Sequence, residues 1–240
     1  MKFYQSIADY YEQVFPLNKM QIDFVNRAFK ETKNLLLLDI GCGTGSLSIE
    51  LSKIFNEVIA IDLDTSMIEM ALEKEHPKVD FRVMNMLDIE QGFGQQSYDC
   101  VICFGNTLVH LESLKSILDF FFQTKKILKE NGKLLFQIIN YDNIIDNGIN
   151  GLPTIENDTI KFIRNYTYHP AKNMIDFETI LTIKKSKQQI KNTIQLYPLR
   201  KAEIEELLKQ AGFSNWKFYG NFKRDALTEN SIPLVVEVDK

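Results

Sequence analysis

The sequence predicts an α/β fold: a doubly wound, mostly parallel seven-stranded sheet with helices on both faces, plus a small antiparallel β inset. Three observations predict it. Between positions 35 and 140, short apolar runs alternate with segments of helical spacing, which is how strands joined by crossover helices read. After about residue 145 the apolar period switches to two, the pattern of strands with one solvated face. Helical spacing then returns at AEIEELLKQA (202–211), and two more apolar runs close the chain.

Each element has a local reason. The first thirty or so residues carry aromatics at helical spacing (Phe3, Tyr4, Tyr10, Tyr11, Phe15, Phe24, Phe29), and Pro16 divides them into two helices. LLLLDI (35–40) is a short apolar run ended by glycine, as expected of a strand buried on both faces. SLSIELSKIF (46–55) is an amphipathic helix and EVIAIDLD (57–64) the second strand. A helix is expected from Ser66 to Glu75, capped by Thr65 or Ser66, followed by a strand at VDFRVMNML (79–87). The Gly- and Gln-rich loop QGFGQQS leads into YDCVICFG (98–105), the fourth strand. Leu114 to Leu128 reads as a helix stopped by Lys129, Glu130, Asn131 and Gly132, and KLLFQIIN (133–140) as the fifth strand.

In the later region, IKFIRNYTYH, MIDFETILTIKK and QIKNTIQLY alternate with period two, giving three antiparallel strands. WKFYG and LVVEV supply the last two strands of the main sheet. The expected organisation is a core of 1–144 and 198–240, with helices of 1–31 as a cap and 145–197 as a β-rich lid on the substrate side.

Composition narrows the function. The 240 residues are 45% hydrophobic and 25% charged, with a net charge of −4, so no basic face suits a nucleic-acid backbone. The three cysteines, Cys42, Cys100 and Cys103, are too few for a disulfide framework. Cys100 and Cys103 form a CxxC within a strand, where residues three apart face opposite ways, and no second pair completes a zinc site, so no metal is expected. MKFYQSIADYY is no signal peptide, and no run approaches the roughly 20 apolar residues of a membrane span. A cytoplasmic protein is expected.

The chemistry concentrates at DIGCGTGS. In a doubly wound sheet, ligands bind beyond the carboxyl ends of the strands where the order reverses, and the loop after the first strand lies there. Gly41, Gly43 and Gly45 can adopt backbone shapes closed to other residues and let a ligand touch the main chain. The spacing is GxGxG, with Ser46 where a nicotinamide fingerprint has its third glycine. Asp62 ends the second strand 21 residues after Gly41, where a carboxylate commonly takes ribose hydroxyls. Asp39, just before the loop, would repel a pyrophosphate but suits an ammonium group. Adenosine, carboxylate and ammonium together describe S-adenosylmethionine.

The series DIGCGTG, IDLDTSMIEMA, MNMLDI, YDCVICFGNTLVHL and LKENGKLLFQIIN resembles the ordered motifs of class I S-adenosylmethionine-dependent methyltransferases, whose fold is Rossmann-like. YPLRKAEIEELLKQAGF resembles that family's late helix, and CFGNTLVHL its small-molecule branch that includes glycine N-methyltransferases. The resemblance implies that Asp39, Gly41 and Gly43, with Cys42 among the cofactor-binding residues, hold the methionine end of S-adenosylmethionine, and that Gly45 lets the loop pass close to the cofactor. It also implies that Asp62 takes the ribose, with Leu63 and Met67 beside it, and that Met86 and Leu87 flank adenine. Asn85 stands where many relatives carry an acid, with Asp88 as a rival. Phe104, Asn106 and His110 would face the methyl group, His110 as the nearest base. Tyr10 or Tyr11 could close over the cofactor. On one face of the inset, Arg164, Tyr166 and Tyr168 could hold a carboxylate of the acceptor.

The resemblance thus implies transfer of a methyl group to an N or O nucleophile of a small molecule, with S-adenosylhomocysteine as product. Three alternatives stay open: a nicotinamide-dependent oxidoreductase, a protein that holds S-adenosylmethionine without turning it over, and a methyltransferase acting on RNA or protein.

Overall fold

A computed structural model describes residues 2–240, with side chains from Tyr4 onward, so Phe3 lies outside the described side chains. The chain opens with α1 (Lys2–Ile7), a 3₁₀ turn, α2 (Tyr11–Val14) and α3 (Lys19–Arg27). The core follows as β1 (Leu36–Ile40), α4 (Ser46–Leu51), β2 (Glu57–Asp62), α5 (Thr65–Leu72), β3 (Val79–Val83), α6 (Ile89–Phe93) and β4 (Tyr98–Cys103). It continues through α7 (Leu114–Ile127), β5 (Leu128–Ile139) and α8 (Tyr141–Asp146). The inset holds β6 (Gly151–Glu156), β7 (Ile160–His169), β8 (Met174–Ile183) and β9 (Gln189–Leu196), and α9 (Lys201–Gln210), β10 (Asn215–Tyr219) and β11 (Pro233–Asp239) end the chain.

The seven-stranded sheet has the order β10-β11-β5-β4-β1-β2-β3, and only β11 runs against its neighbours. Strand order reverses between β1 and β4, which fixes the ligand crevice at their carboxyl ends. The central strands are apolar on both faces because both are covered. Cys103 and Leu38 belong to one buried layer, Cys100 and Leu37 to the other. The CxxC cysteines thus point apart, as their spacing dictates.

Four local expectations are corrected. The helix expected over Leu114–Leu128 ends at Ile127, but the fifth strand begins at Leu128, which pairs with Tyr98, and not at Lys133. The turn residue is Asn131, at φ +65°, inside a strand whose register shifts there. Helix α5 is capped by Asp64, whose carboxylate accepts the Ser66 N–H at 3.0 Å, rather than by Thr65 or Ser66. The four-stranded inset sheet has one strand more than its sequence suggests. Pro153 hides β6, yet an edge strand tolerates proline, and the β6–β7 register shifts between Leu152 and Ile155. The N-terminal stretch before Pro16 forms two short helices joined by a 3₁₀ turn rather than one helix.

That stretch is wedged between the inset and the core. Ile7 and Val14 are buried against Ile160, Phe162 and Leu181 of the inset. Among the described residues no helix is long and apolar enough to cross a membrane.

Candidate functional site

The glycine loop is hooked onto β2 before anything else shapes it. The N–H groups of Gly41 and Cys42 both donate to the Ile61 carbonyl, at 2.8 and 3.0 Å. Gly41, Gly43 and Gly45 all have positive φ, at +75°, +55° and +75°. Each also has a crowded Cβ position. At Gly41 a Cβ would meet Thr107, and at Gly43 it would lie 2.5 Å from the Tyr11 hydroxyl. At Gly45 it would lie 2.4 Å from the Phe81 ring. Gly45 therefore serves the packing of the loop onto β3 and lines neither of the two cavities at the crevice.

Two cavities open at the crevice. The first, about 280 Å³, has Leu63, Met67, Asn85, Met86 and Leu87 on one side and Asp62 at its base. Tyr4, Thr107, His110 and Leu111 form the opposite end. The second, about 310 Å³, is lined by Asp39, Cys42, Thr44 and Ser46 of the loop side and by Arg164 of the inset. Tyr11, Gly41, Phe104 and Gly105 border both.

Asp62 accepts the Gly43 N–H at one oxygen and the Asp64 N–H at the other, both at 2.9 Å. Each oxygen keeps a lone pair for a ligand hydroxyl. Burial raises its pKa, and the backbone donors partly offset that. Asp39 is 3% exposed, and its one side-chain partner is Ser48, which donates at 2.6 Å. Burial, with the neighbouring Asp62 charge, pushes its pKa up to about 7. Such an anion lacks a counter-charge, which an ammonium group would supply. Asn85 Oδ1 accepts the Leu87 N–H at 2.9 Å and so shapes its own turn, while the rival Asp88 is exposed and outside the cavity.

Asn106 and Tyr166 do not reach either cavity. Asn106 sits at φ +68° with its side chain turned to the sheet, accepting the Ile139 N–H at 2.9 Å and donating to the Tyr141 hydroxyl at 3.0 Å. It holds the loop after β4, together with Gln137, which accepts the Gly105 N–H at 3.0 Å. Tyr166 is buried against Phe177, ring centroids 5.3 Å apart. Tyr141 and Gln137 were not expected here, because nothing local in the sequence ties them to residue 106.

The N-terminal turns cover the first cavity. Tyr4, not Tyr10, faces it: its hydroxyl lies 3.1 Å from His110 Nε2, and its ring meets that of Tyr11 edge-on. Burial pushes the His110 pKa down to about 4, so the imidazole is neutral at pH 7. Glu12 ties the turns to the core, accepting from Ser46 Oγ at 2.7 Å and pairing with Lys74.

A donor set of this kind fits S-adenosylmethionine: an apolar slot beside Asp62 for adenosine, and a buried, uncompensated Asp39 for the ammonium. Residues 37–132 match the model of a family described as "Methyltransferase domain". Glycine/sarcosine N-methyltransferase of Aphanothece halophytica is 28% identical over 84% of this chain and 74% of its own. An S-adenosylmethionine-dependent methyltransferase structure from Clostridium acetobutylicum ATCC 824 superposes with a TM-score of 0.82 at 15% identity, covering 98% of both chains. The CcbJ methyltransferase of Streptomyces caelestis gives 0.81 at 20% identity, covering 97% of this chain and 95% of its own. Both structures share the fold.

Proposed function

We propose that this chain, a class I S-adenosylmethionine-dependent methyltransferase, delivers the methyl group to the neutral nitrogen of a small amine. The observation that carries the choice of nitrogen is the buried His110, whose pKa is pushed down to about 4. A base this weak is poorly matched to taking a proton from a hydroxyl or an ammonium group. This favours an acceptor that arrives already nucleophilic, as a neutral amine does.

Bound S-adenosylmethionine supplies a methyl group on a sulfonium, which leaves as a neutral thioether and needs no acid. The chain's residues then have to bind, orient and exclude water. Asp62 would take the ribose hydroxyls, and Leu63, Met67 and Met86 the adenine side. Asp39 would balance the ammonium. Tyr4 donates its hydroxyl hydrogen to the neutral His110 nitrogen, or receives one from it, and so fixes both side chains at the end of the cavity.

The N-terminal turns border both cavities and the inset borders the second, and this supports a small molecule over RNA or protein, with the 145–197 region acting as lid. Glycine and sarcosine are natural first acceptors to test, given the relative's name. Free thiols at Cys42, Cys100 and Cys103 support a reducing, cytoplasmic setting. The test is release of S-adenosylhomocysteine with a panel of amines and matched alcohols. Amines should turn over, faster as pH rises toward the amine pKa. Turnover with alcohols alone would overturn the choice of nitrogen, and a folded enzyme inert to every acceptor would leave only a binding protein.

A further inference from the structure

The second cavity raises a question of charge. If Asp39, Gly41 and Cys42 receive the amino-acid end of S-adenosylmethionine, as the reading above requires, that end brings a carboxylate as well as an ammonium group. Asp39 can match only the ammonium. The carboxylate needs donors in the same space, and a cation is the strongest of them.

Among the described residues, Arg164 is the sole lysine or arginine lining either cavity. Lys74 is the nearest rival by position, but it lines neither cavity and is engaged with Glu12, the Thr44 carbonyl and Ser46. Arg164 itself is underused. Its Nη2 donates to the Pro153 carbonyl at 2.6 Å, and its Nε is buried with no protein partner. Among the described residues no carboxylate pairs with it. A half-buried guanidinium without an anion is expensive to hold, and in native proteins such groups usually have a partner. Burial disfavours its charge, as the lowered pKa records.

The fold also fixes where this side chain can go. Arg164 lies on the inner face of β7 between Phe162 and Tyr166, both buried. Phe162 meets the ring of Phe15 from the N-terminal segment, which also lines the second cavity. Arg164 therefore shares the face of β7 that packs on the N-terminal segment, and it lines the same cavity as Asp39.

We propose that Arg164 binds the carboxylate of the cofactor's own amino-acid end, opposite Asp39, so that the inset completes the cofactor site. The sequence suggests instead that this arginine holds an acid group of the acceptor. The cavity it lines contains the glycine loop, while Tyr4, Thr107 and His110 stand in the other. The inference rests on S-adenosylmethionine being the cofactor, and its test separates the two claims.

The experiment is calorimetric titration with S-adenosylhomocysteine and with 5′-methylthioadenosine, which keeps the nucleoside and sulfur but lacks the amino-acid end. Arg164→Gln should weaken S-adenosylhomocysteine about 10- to 100-fold, the range for a charge-assisted contact, and leave methylthioadenosine unchanged. Arg164→Lys should fall between. Unchanged S-adenosylhomocysteine binding, or equal losses for both nucleosides, would overturn the proposal. The unmodified protein offers a check that needs no variant: the methyl ester of S-adenosylhomocysteine should bind at least 10-fold more weakly than the acid. Equal binding of ester and acid would also overturn it. If the unmodified protein binds neither nucleoside, the cofactor assignment beneath it fails, and that result cannot be mistaken for the others.

Discussion

Asp39→Asn should make the ligand-free protein more stable at pH 8 while weakening its hold on the cofactor. Asp39 is buried at 3% exposure, and its pKa stands at about 7 against an ordinary 3.8. An unfolded chain releases this proton from about pH 4 upward, whereas the folded chain keeps it until about pH 7. Stability is therefore lost as pH rises through that window. At about 1.4 kcal/mol per tenfold change in proton affinity, the whole loss is about 4 kcal/mol, of which about 3 falls between pH 5 and pH 8. Asparagine has no proton to lose and its Oδ1 can still accept from Ser48. The assay is urea denaturation of both proteins at pH 5 and pH 8. The stability difference between them should move by about 3 kcal/mol in favour of the variant at the higher pH, a comparison in which any packing change specific to asparagine cancels. A difference that stays flat with pH, or moves the other way, would refute the reasoning that Asp39 is an uncompensated buried acid.

Other expectations follow from neighbouring features. Gly45→Ala combines φ +75° with a Cβ 2.4 Å from Phe81, so thermal melting should show a loss of about 2–3 kcal/mol. Gly148→Ala, at φ +60° with open space around it, should cost only about 1 kcal/mol in the same assay. His110 has the opposite linkage from Asp39: its folded pKa of about 4 lies below the ordinary 6.5, so it contributes stability above pH 6.5 that is lost as pH falls toward 4. His110→Gln should flatten that acid limb by about 2–3 kcal/mol in denaturation curves. Glu12→Ala should change global stability by less than about 1 kcal/mol, since the Lys74 pair is half exposed, yet hydrogen exchange across residues 4–15 should quicken. Unaltered exchange there would show that the N-terminal turns are held without Glu12.

The elements legible in the sequence are those whose signal is contiguous. LLLLDI and EVIAIDLD announce buried strands because β1 and β2 are covered on both faces. The loop after β1 is legible because its glycines and Asp62 answer to one local geometry. What stayed hidden depends on contacts made far along the chain. Tyr4 and His110 stand 106 residues apart in sequence and meet only once the N-terminal turns are wedged against the inset. Gly45 looks like its sister glycines until Phe81 of β3 is placed against it. Asn106 looks like a pocket residue, but β5 claims its side chain through Ile139 and Tyr141. Strand β6 was masked by Pro153, whose effect depends on lying at a sheet edge, a property no local window contains.

The most direct measurement is calorimetric titration of the purified protein with S-adenosylhomocysteine, with Asp62→Ala alongside. Asp62 is the acid that both shapes the glycine loop, through the Gly43 N–H at 2.9 Å, and lines the first cavity. Binding by the unmodified protein at one site, lost or weakened at least about 10-fold in a variant that still folds, is the expected result. No binding by the folded protein, or equal binding by the variant, would contradict the account at its centre.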